Sequence, residues 1–140
     1  MSTRTILATT LIICATASLA PAETLTDEGF QKLMKEVGAA SKRFKNEMVA
    51  KDAAGLTKDA TRIADIYKQM APFWTARKAD DAAKWSQESS AAAMALAADA
   101  KKADWAAVKN GTQAVFKNCK SCHDSYREKL PDGGYKIKSK

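Results

Sequence analysis

The sequence predicts an all-α fold, an antiparallel up-down-up-down four-helix bundle, and three observations support that prediction. Apolar residues recur at spacings of three and four, which places them on one face of a helix. The chain is rich in alanine and lysine, whereas glycine and proline are confined to a few places where helices can end. Four such helical segments are separated by short connections, so that consecutive helices run in opposite directions.

Residues 1–22 have the pattern of a secretory signal peptide and are left out of the predicted fold. One positive charge precedes the uncharged, apolar stretch from Ile6 to Leu19, which is shorter than the about 20 residues of a membrane-spanning helix. Cleavage after Ala20 would leave Pro21 as the first residue, which is unfavourable for the signal peptidase, so we expect cleavage after Ala22. The sequence therefore predicts an exported chain with one domain, residues 23–140, and no membrane span.

The first two helices are predicted from their caps and their apolar faces. Thr26 is a candidate N-cap before two acidic residues, which suit a helix N-terminus, and the segment Lys51 to Gly55 ends this helix. A second helix follows, with Thr57 as its candidate cap and Pro72 as its end. The apolar faces carry Phe30, Leu33, Met34, Val37, Phe44 and Met48 in the first helix and Leu56, Ala60, Ile63, Tyr67 and Met70 in the second.

The third and fourth helices follow a short connection. Asp80 or Asp81 is the candidate cap of the third helix, and Asp104 is that of the fourth. The turn residues Pro131 to Gly134 stop the fourth helix, and Tyr135 to Lys140 is predicted to be a short basic tail. The inner faces carry Trp85, Ser89, Ala92 and Leu96 in the third helix and Val108, Thr112, Val115, Phe116, Cys119, Cys122, His123 and Tyr126 in the fourth.

The stretch Cys119-Lys120-Ser121-Cys122-His123 has the C-x-x-C-H spacing that attaches a c-type haem. Two thiols three positions apart lie on one edge of a helix, where each can add to a vinyl group of the porphyrin. The adjacent His123 can direct its imidazole toward the iron, and it is the only histidine in the chain. The sequence thus predicts one covalently attached haem c.

Other interpretations of this stretch fit less well. A zinc site needs four cysteine or histidine ligands, and only three candidates exist outside the signal peptide. A thioredoxin-like redox motif needs a βαβ setting, and no strand-like alternation lies near it. A structural disulfide between Cys119 and Cys122 would leave His123 unexplained, and a non-haem bundle with an incidental motif predicts a colourless protein.

With this motif near the end of an exported four-helix chain, the sequence resembles the class II cytochromes c, the cytochrome c′ family. The stretch from Cys119 to Arg127 is similar to the family's C-x-x-C-H-x-x-[FY]-R, and Trp85 is similar to its tryptophan at the start of the third helix. The resemblance implies thioether bonds at Cys119 and Cys122 and axial ligation of the iron by His123. It also implies that Arg127 lies near the haem, although a solvated helix end explains this arginine equally well.

The second axial ligand decides the function, and Met34 is the predicted one. In an antiparallel bundle the start of the first helix lies beside the end of the fourth, and at about 1.5 Å per residue Met34 and His123 lie at the same level. Met70 falls at the same end and is the competitor. The resemblance favours Met34, because the stretch Gln31 to Lys35 resembles low-spin family members in which a methionine binds the iron. The alternative is that Met34 is an ordinary core residue.

With both axial positions filled, the sequence predicts a one-electron carrier and not an enzyme. A thioether ligand raises the reduction potential and leaves no position for an exogenous ligand. If the sixth position is open, the same scaffold is instead a gas-binding protein for nitric oxide or carbon monoxide. The sequence contains no second histidine and no paired-carboxylate motif that would indicate a catalytic site.

Charge and location limit the partners. After cleavage the chain carries 22 basic and 16 acidic residues, an excess of +6, which two haem propionates lower to about +4. This excess favours an acidic redox partner or an anionic membrane surface, and the scattered lysines do not indicate nucleic-acid binding. Haem attachment outside the inner membrane predicts a periplasmic location. A homodimer through the first two helices, frequent in the family, is neither supported nor excluded by the predicted outer-face residues Lys42, Lys45, Lys51, Lys58 and Asp59.

Overall fold

The structure is a computed structural model, and it describes residues 24–138. The predicted signal peptide, its cleavage site after Ala22 and the last two residues of the predicted tail lie outside the described residues. The elements are α1 (Asp27–Ala50), α2 (Ala53–Ala76), α3 (Asp80–Lys101), α4 (Trp105–Phe116), α5 (Cys119–Tyr126), β1 (Arg127–Lys129) and β2 (Tyr135–Ile137).

The long helices form the predicted four-helix bundle. α1 packs against α2, α2 against α3, and α3 against α4, and only two or three residues separate consecutive helices. Such short connections force neighbouring helices to run antiparallel, so the predicted fold class is confirmed. The largest fully buried side chains come from all four helical segments and are Phe44, Leu56, Ile63, Ile66, Met70, Leu96, Val108 and Val115.

The fourth predicted helix is divided into α4 and α5 by a turn at Lys117 and Asn118. The side-chain amide of Asn118 donates a hydrogen bond of 2.8 Å to the carboxylate of Glu88 on α3. Its carbonyl accepts the backbone N–H of Cys122 at 3.0 Å and so begins α5. The turn therefore separates the helix that packs in the bundle from the short helix that carries the C-x-x-C-H motif.

The N-terminal caps agree with the sequence at two helices and differ at the other two. Thr26 and Asp104 accept the backbone N–H groups of Gly29 and Ala107, each at 3.1 Å, as predicted. The cap of α2 is Asp52 and not Thr57. At α3 the N-cap position is Ala79, and the two predicted aspartates lie in the first turn, where their charge still suits the helix dipole.

Pro72 does not end the second helix, which continues to Ala76. A proline inside a helix removes one hydrogen bond and costs about 3 kcal/mol. Here Pro72 lies on the exposed face, and the next turn buries Phe73 and Trp74 to 4% and 2% exposure. Burial of two such aromatic side chains contributes about 1.5–3 kcal/mol each, which outweighs the cost of the proline.

The last helix ends at Tyr126 and a small β-hairpin follows it, whereas the sequence predicts a helix that continues to the turn at Pro131 and then a tail. β1 and β2 pair antiparallel, with Arg127 opposite Ile137 and Lys129 opposite Tyr135. The turn between them contains Gly133, whose φ of +84° lies in the left-handed region that glycine adopts without strain. The hairpin is short, but it places the end of the described chain beside α5.

Two further observations bear on surfaces. Asp59, predicted on an outer face, is instead buried at 8% exposure, and its carboxylate is compensated by an ion pair with Arg43 of α1 at 2.5 Å. Within residues 24–138, no helix combines the length and the apolar character needed to cross a membrane.

Candidate functional site

A cavity of about 700 Å³ opens at one end of the bundle. Its walls come from the N-terminal half of α1, the C-terminal half of α2, the start of α3, the end of α4, α5 and the hairpin. In an antiparallel bundle these parts of the chain lie at the same end. The volume falls within the range of about 300–1,000 Å³ that is usual for ligand and cofactor sites.

The structure brings the predicted site residues together at this cavity. It is lined by Met34 of α1 and, from α5 and the start of β1, by Cys119, Cys122, His123 and Arg127. Met70, the competing methionine, also lines it and is almost fully buried at 1% exposure. The remaining helical methionines lie elsewhere, with Met94 exposed and Met48 in contact with the hydroxyl of Thr112.

The two thiols are half-buried on α5, and their surroundings suppress ionisation. Burial raises the pKa of Cys122 to about 11, and the neighbouring Cys119 and Asp81 add to this effect. Burial likewise raises the pKa of Cys119, although a hydrogen bond with Tyr67 opposes the change. The hydroxyl of Tyr67 lies 3.8 Å from Sγ of Cys119. Both sulfur atoms are therefore neutral at pH 7 and belong to an apolar cavity wall.

The surroundings of the His123 imidazole favour its neutral form. Burial lowers its pKa, the guanidinium of Arg127 lowers it further, and Asp124 acts in the opposite direction. The carboxylate of Asp124 also binds the ammonium group of Lys120 at 2.5 Å, one helical turn away. Neutral imidazole has the free lone pair that a metal ligand needs, so the environment of His123 suits ligation.

Arg127 lies where α5 ends and β1 begins. Its guanidinium carbon is 4.2 Å from the centroid of the Tyr135 ring, a cation–π contact across the hairpin. This contact keeps the positive charge at the cavity wall, although the residue as a whole is exposed.

The residues at the cavity fit a covalently held haem. Two thiols and one neutral imidazole stand on a single short helix, and aromatic and aliphatic side chains such as Phe30, Val37 and Trp85 form much of the wall. Gly38 of α1 lies on the same wall, and a Cβ atom added there would meet no protein atom within 4 Å.

Several lining residues were not identified as site residues from the sequence. Tyr67 was placed correctly on the inner face of the second helix, but nothing in its spacing shows that its hydroxyl reaches Cys119. Ser86 and Ser89 line the cavity from the first turns of α3. Leu130 and Tyr135 belong to the hairpin, which the sequence analysis did not predict, so no local pattern pointed to them.

Comparison with known proteins gives a family but no individual relative. A family model described as Cytochrome C′ matches residues 24–127. The match spans most of the chain, including the complete bundle and the C-x-x-C-H motif. No curated protein and no solved structure matches the chain.

Proposed function

The chain belongs to the cytochrome c′ family, and from this premise we propose that it is an exported c-type cytochrome that carries single electrons. The family implies a covalently bound haem c with iron, which supplies a reversible one-electron change between ferrous and ferric states when bound. The observation that carries the proposal is that Met34 and His123, from α1 and α5, line the same cavity.

Each site residue has a definite role in this proposal. Cys119 and Cys122 would hold one haem covalently through their sulfur atoms, as thioethers. His123 would bind the iron through an imidazole nitrogen, and Met34 would bind it through its thioether sulfur. A His/Met pair raises the reduction potential and leaves no free position at the iron, which suits electron transfer and excludes gas binding.

Optical spectra of four proteins test this assignment. The parent and the volume-conserving variants Met34→Leu, Met70→Leu and Met94→Leu are compared, oxidised and reduced, with and without carbon monoxide. We expect a low-spin parent that carbon monoxide does not change, and a Met34→Leu variant that binds carbon monoxide. Met70→Leu and the exposed Met94→Leu should behave as the parent does.

The same spectra identify each alternative. Carbon monoxide binding in Met70→Leu but not in Met34→Leu would make Met70 the ligand. A high-spin parent whose spectrum shifts with carbon monoxide would mean that the sixth position is open, and the protein would then be a five-coordinate gas-binding cytochrome. A colourless protein, produced together with the cytochrome c maturation machinery, would exclude haem altogether.

The proposal includes a periplasmic location and an acidic redox partner. The signal-like residues 1–22 support export, and the excess of basic over acidic residues supports attraction to an acidic surface. The charged residues at the cavity wall also have a net positive balance, since Lys35, Arg127 and Lys136 outnumber Asp132. Electron-transfer rates with an acidic partner should therefore fall as salt rises, and rates independent of salt would contradict this.

A further inference from the structure

The family match ends at Arg127, whereas the described chain continues to residue 138 as the hairpin of β1 and β2. Several hydrogen bonds fix this extension. Leu130 and Gly134 close the turn at 2.8 Å, and the backbone N–H of Lys138 donates to the carbonyl of Tyr126 at 2.9 Å. The ammonium group of Lys138 also donates to the carbonyl of Asp124 at 2.5 Å. The hairpin is thus tied to the helix that carries the haem motif.

The hairpin also reaches across to the opposite side of the cavity. β2 contacts α1, the helix of Met34, and Ile137 packs against the hydrophobic core. Both strands and the turn contribute to the cavity wall. The hairpin therefore bridges α5 and α1 and covers a side of the cavity that the four helices leave open.

The contact between Arg127 and Tyr135 joins the two strands on this wall. Two strands of three residues are not stable by themselves, so side-chain contacts must hold them in place. Tyr135 is 45% exposed, and its ring meets the guanidinium of Arg127 at 4.2 Å. Arg127 in turn lies within electrostatic reach of His123.

We propose that the hairpin is a strap that closes the haem cavity, and that Tyr135 is the positioning residue that holds the positive charge of Arg127 beside the iron ligand His123. The inference rests on the proposed haem function. A positive charge held near the iron opposes the ferric state, and the effect is larger the less water separates the charge from the iron. The strap therefore raises the reduction potential through Arg127.

Midpoint potentials of the haem-loaded, full-length protein test this role. Tyr135→Ala should lower the equilibrium constant for reduction by roughly three- to tenfold, because the guanidinium of Arg127 is no longer held at the cavity wall near His123, and a tenfold change is 59 mV for one electron. Tyr135→Phe keeps the ring and should match the parent. Arg127→Ala should lower the constant by at least as much as Tyr135→Ala.

The double variant separates positioning from a general effect of the ring. If Tyr135 acts through Arg127, adding Tyr135→Ala to Arg127→Ala should change the potential no further. An undiminished effect in that background, or a Tyr135→Ala potential equal to that of the parent, overturns the proposal. Absence of bound haem in the parent would instead overturn the proposed function, so the two failures are distinguishable.

Hydrogen exchange tests the strap itself. In Tyr135→Ala the amides of Leu130 and Lys138 should exchange roughly tenfold faster than in Tyr135→Phe, because their partners are intact but the hairpin opens more often. Amides of α2 in the same samples provide the control for global stability. Equal protection of Leu130 and Lys138 in both variants would show that Tyr135 does not hold the hairpin closed.

Discussion

Glu47 lies at the end of the bundle opposite the cavity, in a group of charges between α1 and α2. One of its carboxylate oxygens is buried without a hydrogen-bond partner among the described residues. Burial raises the pKa of Glu47 to about 6, the carboxylates of Asp59 and Asp52 raise it further, and Arg43 opposes them. Arg43 is already paired with Asp59 at 2.5 Å, so Glu47 is the member of the group that gains from holding a proton.

Replacement of Glu47 by glutamine should therefore increase stability in a pH-dependent way. Because the folded pKa lies above the unfolded value, the parent loses stability as pH rises from about 4.5 through about 6, and the glutamine variant does not. A shift of this size corresponds to at most about 2 kcal/mol, and solvent screening of a half-buried group reduces it to about 1 kcal/mol or less. Urea unfolding of both proteins at pH 4.5 and pH 7.5 measures the difference.

The control for this prediction is Glu88→Gln, which changes a carboxylate on α3 away from the group. Its stability relative to the parent should change little between the two pH values. If Glu47→Gln and the parent lose the same stability over this interval, the carboxyl group of Glu47 ionises without a folding penalty.

Residues close in sequence were easier to assign to the site than residues brought together by packing. The spacing of Cys119, Cys122 and His123 pointed to one helix edge, and the structure places all three at one cavity wall. The positions of Met34 and Met70 along the bundle axis can be predicted from helix length alone, and both residues lie at the cavity. Tyr135 could not be found in this way, since its position depends on a hairpin of three-residue strands that carries no alternating pattern.

The ends of a helix can be predicted from the sequence where one strong local signal, such as a capping side chain, acts alone. Thr26 and Asp104 cap their helices as expected. Pro72 does not end α2 as predicted, because the burial of Phe73 and Trp74 in the next turn outweighs the local tendency of proline to break a helix. The turn before Cys119 was missed because the apolar periodicity continues through it, and the hydrogen bond from Asn118 to Glu88 is a tertiary contact.

The cap of α4 is a second point where stability can be tested. Asp104→Ala removes the acceptor for the backbone N–H of Ala107 and should reduce the free energy of unfolding by about 1 kcal/mol. Asp104→Asn keeps a capping oxygen and should stay close to the parent. Thermal unfolding of the haem-loaded proteins measures both, and equal losses in the two variants would show that charge, not capping, is what Asp104 contributes.

The stability of the whole bundle depends on the group that fills the cavity. All four helical segments and the hairpin contribute to its wall, so an empty cavity removes packing from every element at once. Apolar side chains that face unfilled space lose the packing contacts that stabilise a protein interior, and the lining of this cavity of about 700 Å³ includes several of them. The total stability of a domain is only about 5–15 kcal/mol.

The chain without haem should therefore fail to hold its native bundle. A Cys119→Ala/Cys122→Ala variant removes both attachment points, and we expect reduced helix content by circular dichroism and a broad, weakly cooperative thermal transition. The variant Ser121→Ala, which changes an exposed residue inside the motif and keeps both thiols, is the matched control and should melt as the parent does.

The far end of the bundle, where Leu56, Ile63 and Val108 are fully buried, contains no part of the cavity wall. Residual helix in the double variant should therefore be most protected there in hydrogen exchange. Native helix content with a sharp transition in the double variant would mean that the protein core, and not the haem, supplies the packing that holds the four helices together.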